Sequence, residues 1–321
     1  MHNARDPLTK IQGVAAFLLV PAAGIHYVAA PMRSAALVGL LTAFVARLGL
    51  AQQLPPSFAY DSALLADAAT AGAPASGSRA QSSSPHRSTF RLMVVGGVQI
   101  AGLGFAYREA QQTWGQSAGR FHVKNDWTGD TLSQSDEISH LFFGYTLTRV
   151  FSRMWRWGGL SAESARSVGA VESALTLTLV EVMDAYNPTQ GLGTSDLLFD
   201  YAGVGAGLLS LHHPGNWGIR ASTKRADVAK PFSLTKDQYD DWIFWATYRP
   251  PLRWGAKQPL SFGLGHSTRR APDGLAAVRE LHFGIGTTLP DIVRVFSPRI
   301  AQHVEILDFY YINLNLTATV H

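Results

Sequence analysis

The spacing of apolar residues changes once along this chain. From residue 90 to about 211 they recur every three or four positions, as on one face of a helix, and beyond about residue 240 they alternate. Helices followed by strands, rather than the two interleaved, predict an α+β protein: a four-helix bundle and then a small antiparallel β-sheet. The helices are expected at about 90–114, 134–155, 162–183 and 196–211. Ser133, Ser161, and Thr194 or Ser195 stand at three of the starts as candidate N-caps. Asn187-Pro188 and Gly191-Leu192-Gly193 break the chain before the fourth helix, which makes the third and fourth antiparallel neighbours.

Two further segments precede the helices. Residues 14 to 51 are apolar, but Pro21, Pro31 and Arg33 interrupt them, so they form a poor membrane span. Read from Met32, Arg33 supplies a positive start, residues 35–46 a short apolar core, and Gly49-Leu50-Ala51 small residues for cleavage. That is the pattern of a secretory signal peptide. We expect residues 1–51 to be a signal or targeting segment whose true start is Met32, and the protein to be exported to the cell envelope, in the periplasm or the outer membrane. Residues 52–89, rich in Ala, Ser, Gly and Pro, read as a disordered linker. The helical module then spans 90–211, a polar connector 212–240 and a β region 241–321.

Composition removes several classes of chemistry. The 321 residues include no cysteine, which excludes disulfides, thiolate zinc sites, iron–sulfur clusters and cysteine nucleophiles, and leaves no site for a lipoprotein anchor. The 27 Lys and Arg are spread among 23 Asp and Glu without a basic block, so no nucleic-acid partner is expected. No phosphate-cradling glycine loop followed by Lys-Ser/Thr and no Gly-x-Ser-x-Gly elbow occurs, so neither nucleotide hydrolysis nor serine-hydrolase chemistry has support. Charged residues make up only 16% of the chain, below the usual share of about 25%, so part of the surface meets something other than water. Membrane or envelope components are the expected partners.

In an alternating bundle the start of the second helix, the end of the third and the start of the fourth share one pole. Asp136 and His140, Glu181 and Asp184, and Asp196 and Asp200 sit there, each pair three or four residues apart and so on one helix face. Arg149, Arg153, Arg156 and Arg166 fall toward the other pole, with Arg149 roughly 20 Å from Asp136, and cannot neutralise the group. Asp136 and Asp196 alone are ordinary first-turn acids, and His140 alone reads as a hydrogen-bonded core histidine. Glu181 and Asp184 face the negative end of their helix dipole, however, and Asp200 follows Leu197-Leu198-Phe199 in an apolar stretch. Five carboxylates beside one imidazole need a cation, shared protons or a positive ligand.

Oxygen-rich ligation with a single imidazole suits Mg²⁺, Mn²⁺ or Ca²⁺ better than structural zinc, and a di-iron centre would need a second His. Asp136, His140, Glu181, Asp184, Asp196 and Asp200 are the candidate metal ligands. His140, Asp136, Glu181 and Asp184 are the candidate catalytic groups for attack of an activated water on an ester or phosphoester. The alternative is a structural or accessory envelope protein in which the same network only orders the fold.

At these positions the chain resembles a known group. Phe121-His122-Val123-Lys124-Asn125-Asp126-Trp127, Asp136-Glu137-Ile138-Ser139-His140, Glu181-Val182-Met183-Asp184, and Asp196-Leu197-Leu198-Phe199-Asp200 with Gly203 and Gly207 resemble the YfiM-like family of uncharacterised bacterial envelope proteins. That family is similar in pattern to VanZ-like membrane proteins. The resemblance spans about 110–211 and implies an envelope location and no established reaction. Glu137 departs from the family's usual Lys, and Asp200 from its common Asn.

Trp155, Arg156 and Trp157, with Trp217 and Arg220, are expected at the pole opposite the carboxylates, where Trp beside Arg resembles an interfacial belt, the alternative being a buried soluble bundle with surface aromatics. Beyond the connector, segments 260–265, 281–286 and 312–317 alternate apolar with small or polar residues, and 242–248 adds a fourth strand. Gly263, Gly265, Gly284 and Gly286 flatten one face so that something can approach closely. Three or four strands fall short of the eight or so that close an outer-membrane barrel, so a small sheet packed on the bundle is expected.

Overall fold

The computed structural model describes residues 88–114, 119–127, 133–224, 241–251, 258–270 and 277–320. The chain divides into two compact units, Met1–Ser83 and Ser84–His321, and all that follows concerns the second. The signal segment, its start at Met32 and nearly all of the expected linker lie outside the described residues.

Helices α1 (Thr89–Trp114), α2 (Ser135–Trp157), α3 (Ala162–Asp184) and α4 (Thr194–His212) fall close to the expected places. A four-helix bundle is not confirmed. Close packing joins α2, α3 and α4, while α1 lies against them through fewer residues: Val95 and Gln99 are buried, Leu92 sits beside Gly158, and the Arg91 guanidinium is 5.5 Å from the centre of the Trp157 ring. The three-helix unit is tight because small residues let backbones touch. A Cβ on Gly144 would collide with the Asp200 carbonyl, one on Gly203 with the Leu141 carbonyl, and one on Gly169 with Ser152 at 2.5 Å. Ala170, Leu177 and Val204 form the apolar seam between α3 and α4.

The helix starts differ from expectation. Ser161 does cap α3, accepting from the Ser164 N–H at 3.1 Å. The residue before α2 is Gln134, not Ser133, and it makes no side-chain cap; Ser133 Oγ instead donates to the Ala277 carbonyl of the sheet at 3.0 Å. Gly193 precedes α4, and its missing side chain is replaced by Asp126, whose Oδ1 accepts the Ser195 N–H at 3.3 Å.

Asp126 reaches that position through a two-strand pairing, β1 (Val123–Lys124) parallel to β2 (Leu192–Gly193). The turn feeding β2 is built as Asn187 and Gly191 require. Asn187 Oδ1 accepts the Thr189 N–H at 3.0 Å, and Gly191, at φ 89, occupies the left-handed region that glycine tolerates best.

The C-terminal sheet has five strands, not three or four: β3 (Trp217–Thr223), β4 (Trp242–Tyr248), β5 (Ser261–Arg270), β6 (Ala277–Thr287) and β7 (Ile312–Val320), antiparallel in chain order. Strand β3 lies inside the expected connector. Between β6 and β7 come α5 (Leu289–Phe296) and α6 (Pro298–Val304). Ala221 of β3 also bonds the segment entering β7, giving its N–H to the Phe309 carbonyl and accepting from the Tyr311 N–H, both at 2.9 Å. The sheet therefore curls until its first strand meets the approach to its last.

One sheet face carries Phe244, Ala221 and Ile219 against Phe142 and Ile138 of α2, which seats the helices on β3 and β4. The opposite face carries the glycines. Cβ atoms on Gly263, Gly265 and Gly284 would each lie 2.8–3.0 Å from the ring of Trp245, so the close neighbour expected there is this indole, packed with Ile243 and Tyr311. Gly286 makes room for the β7 backbone instead.

The expected Trp and Arg belt is mostly internal. Trp155 is buried with its Nε1–H on Glu172 Oε2 at 2.6 Å, Arg220 is buried against Asp308, and Trp217 packs beside Tyr145; Trp157 alone of the three tryptophans is exposed. The polar atoms of Trp155 and Arg220 thus serve the core, while Arg156 is exposed like Trp157. Among the described residues no helix is long and apolar enough to cross a membrane.

Candidate functional site

Three helices deliver the site. The first turn of α2 carries Asp136 and, one turn on, His140; the last turn of α3 carries Glu181 and Asp184; the first turns of α4 carry Asp196 and Asp200. The Gly144 and Gly203 contacts bring α4 close enough to α2 for His140 Nδ1 to lie 2.9 Å from Asp200 Oδ1. Glu181 Oε1 is 3.8 Å from the same ring nitrogen. The other nitrogen, Nε2, faces Asp136 Oδ1 at 3.8 Å and Asp196 Oδ1 at 4.0 Å, beyond hydrogen-bond length.

The imidazole thus stands between two sets of possible ligand atoms, Asp136, His140 and Asp196 on one side and His140, Glu181 and Asp200 on the other, each set within 4.8 Å of one another. Asp184 belongs to neither. It lies within electrostatic reach of His140, Asp136, Lys124 and Asp196.

A balancing ammonium is present that the placing of the arginines at the other pole does not supply. Lys124, placed by the β1–β2 pairing, has its Nζ 3.7 Å from Asp136 Oδ2 and 3.5 Å from Asp196 Oδ2. It uses the Oδ2 atoms of both carboxylates and leaves the Oδ1 atoms turned toward His140. Asp126 and Glu137 also join the group: Glu137 is buried and its Oε1 accepts from Ser195 Oγ at 3.3 Å. The motif containing Lys124 and Asp126 is visible in the sequence, but no local period ties residue 124 to residue 193, because their meeting depends on a strand pairing between distant segments.

The surplus of negative charge shows in the titration of the group. Burial opposes a charged imidazole, yet the bond to Asp200 and the charges of Asp200, Asp136 and Asp196 outweigh it and hold the His140 pKa up at about 10. Burial raises Glu181 to about 8 and both Asp184 and Asp196 to about 6, with His140 only partly offsetting it. Asp200 is raised for the same reason. Lys124 is raised because Asp196, Asp136 and Asp126 together outweigh its burial.

Several of these acids also hold backbone. Glu181 Oε2 accepts the Gly193 N–H at 3.0 Å, and Asp126 accepts the Ser195 N–H. After that accounting some oxygens stay unused. Asp200 is fully buried and its Oδ2 has no hydrogen-bond partner; Asp196 is 4% exposed and its Oδ1 has none either. Such atoms are costly unless a proton, an ion or water meets them.

Residues 125–212, which include all these groups except Lys124, match a family described as a predicted periplasmic lipoprotein (DUF2279). No curated protein and no solved structure matches the chain. The description is that of an uncharacterised envelope family and agrees with the exported, cell-envelope location expected from the sequence. A cysteine to carry a lipid is not among the 321 residues.

Proposed function

We propose that the protein is an exported envelope protein that binds one divalent cation between Asp136, His140 and Asp196. The observation that carries this reading is the orientation of the His140 ring. With its Nδ1–H given to Asp200 Oδ1 at 2.9 Å, the ring turns Nε2 to the two Oδ1 atoms at 3.8 and 4.0 Å, and a cation bound there would displace the Nε2 proton that the surrounding carboxylates otherwise hold. Ligand atoms around an ion with bonds of 2.0–2.4 Å are spaced by about 3 to 4.8 Å. A carboxylate behind a ligating imidazole also fixes its tautomer, which is the role Asp200 takes here. Two carboxylates and one imidazole suit Mn²⁺ best among Mg²⁺, Mn²⁺ and Ca²⁺. Glu181 borders the site and frames the start of α4.

The hydrolytic form of this reading adds one step. A cation held by Asp136, His140 and Asp196 would supply Lewis-acid activation of water, and Asp184 would take the proton of the attacking water and return it to the departing alcohol as the ester or phosphoester bond breaks. The YfiM-like placement, with its VanZ-like pattern, belongs to the same reading, since its motif blocks are the segments that line the site.

Metal analysis and calorimetry on the full chain test it. One equivalent of Mn²⁺ is expected, lost in Asp196→Asn and in His140→Gln, with cleavage of a chromogenic phosphoester lost in Asp184→Asn. Absence of Mn²⁺, Mg²⁺ and Ca²⁺ uptake by the wild type overturns the reading.

A second reading has its own support. Lys124 and a protonated His140 supply two cations from within, and Glu181, Asp126 and Glu137 all brace the start of α4. On those grounds the network serves fold specificity in a non-enzymatic envelope protein. Unchanged metal content with a large loss of thermal stability in Asp196→Asn is its signature.

A further inference from the structure

Outside this site, the largest unexplained feature is the outer face of the curled sheet. On β5, β6 and β7 the side chains of one parity form the polar, glycine-lined interior with Trp245, where Ser267 Oγ bonds His282 Nε2 at 2.8 Å. Of the other parity, Phe262 and Leu264 of β5, Phe283 and Ile285 of β6, and Leu314 and Leu316 of β7 are exposed and apolar. Strand register sets them in rows: Leu264, Phe283 and Leu316 lie side by side, and the adjacent row is Phe262, Ile285 and Leu314. Leu264 is 67% exposed, Leu316 77% and Leu314 86%. Helix α2 packs its apolar side chains on β3 and β4 and its start touches β5 through Ser135 and Thr268, and among the described residues these rows stay exposed. A contiguous apolar surface of this kind on a folded domain marks a contact with something other than water.

The charges around it select the partner. At the outward positions of β5, β6 and β7 there is no Asp or Glu. Arg279, exposed near the start of β6 and giving one N–H to Gln134 Oε1, borders the rows at one end. Beyond the other end of β6, α5 and α6 bring Phe296, 83% exposed, together with exposed Ile300 and Arg299. An apolar band with no carboxylate at its own strand positions, one guanidinium at its edge and another exposed on the helix beyond is complementary to acyl chains beneath anionic headgroups.

We infer that this outer face docks the protein on an anionic lipid bilayer, with the Leu264 and Phe262 rows entering the acyl boundary and Arg279 and Arg299 meeting the headgroups. Rows one strand period apart are separated by about 6.8 Å, which matches the shallow depth of about 5–10 Å reached by interfacial elements.

Flotation of the full chain with vesicles tests the inference. Vesicles of phosphatidylethanolamine and phosphatidylglycerol are compared with phosphatidylcholine alone. The wild type is expected to float with the anionic vesicles, and Leu264→Glu, Phe283→Glu and Leu316→Glu combined to lower binding about tenfold or more. Arg279→Gln with Arg299→Gln, which leaves the apolar rows intact, is expected to lower binding to anionic vesicles about fivefold and not to affect phosphatidylcholine. Equal flotation of the wild type and the glutamate variant overturns the inference. A wild-type dimer without lipid that the glutamate variant converts to monomer also overturns it, because a second copy then covers the face. If the glutamate variant fails to fold by circular dichroism, the arginine variant decides, and an unchanged anionic preference overturns the inference.

Discussion

His140 and Asp200, sixty residues apart, meet at 2.9 Å between Nδ1 and Oδ1, and this one contact fixes which nitrogen of the imidazole faces Asp136 and Asp196. Asn at position 200 keeps an oxygen for the ring N–H but removes the charge that strengthens the imidazole as a ligand. Asp200→Asn is therefore expected to fold and to bind Mn²⁺ about 10–100-fold more weakly, as outer carboxylates behind ligating histidines do. Calorimetric titration of wild type and variant measures the difference; equal affinities would remove Asp200 from the site.

Gly193 leaves room for the acids. A Cβ there would overlap the carboxylates of Asp196 and Asp126, while its φ of −82° and ψ of 119° suit any residue. Gly193→Ala should thus turn both carboxylates aside, including the Asp126 carboxylate that caps α4. The expected outcome is Mn²⁺ binding weakened about tenfold or more, because ligating groups must be held close to their productive geometry, with a stability loss of about 1 kcal/mol from the lost cap.

Glu172 supplies a pH-dependent test remote from the cation. Burial raises its pKa from 4.5 to about 7, against the lowering effect of its bonds from Trp155 and Gln99. The folded state therefore favours the protonated acid. The stability this contributes is fully present below pH 4.5 and is lost as pH rises through about 7. Glu172→Gln cannot lose a proton. Urea unfolding should show its advantage over the wild type growing between pH 5 and pH 8 to about 1–3 kcal/mol; a difference that stays constant with pH would disprove the assignment.

Asp308 joins the helices to the sheet. Its Oδ2 is 2.7 Å from Arg149 of α2 and its Oδ1 is 3.1 Å from Arg220 of β3. Burial alone would raise its pKa, but the two guanidinium groups hold it below the ordinary carboxylate value. Asp308→Asn leaves both arginines without their counter-charge and is expected to cost about 3–5 kcal/mol. Urea unfolding above pH 5 reads this loss, which should shrink as acid protonates the wild-type carboxyl.

Much of this arrangement is legible in the chain. The three- and four-residue spacing of Asp136 with His140, Glu181 with Asp184 and Asp196 with Asp200 puts each pair on one helix face, and the breaks at Asn187-Pro188 and Gly191 turn the third helix back against the fourth. Lys124 escapes such a reading because only its pairing opposite Gly193 brings it to the acids. Strand β3 was hidden for a different reason: Trp217 to Thr223 is buried from both sides, so the alternation that marks a half-exposed strand is blurred.

By itself, then, the order of residues determined where helices give way to strands, which positions are too small to hold a neighbour off, and which acids share a face. Those properties depend on local period and side-chain size. Tertiary structure alone decided that Trp245 is the neighbour filling the glycine face, that Lys124 balances the carboxylates, that α1 packs through fewer residues than the other three helices, and that the outer rows of β5 to β7 are exposed among the described residues. A pattern along the chain can mark a surface as apolar or acidic, but what covers or neutralises it comes from residues far away in sequence, and only folding chooses among them.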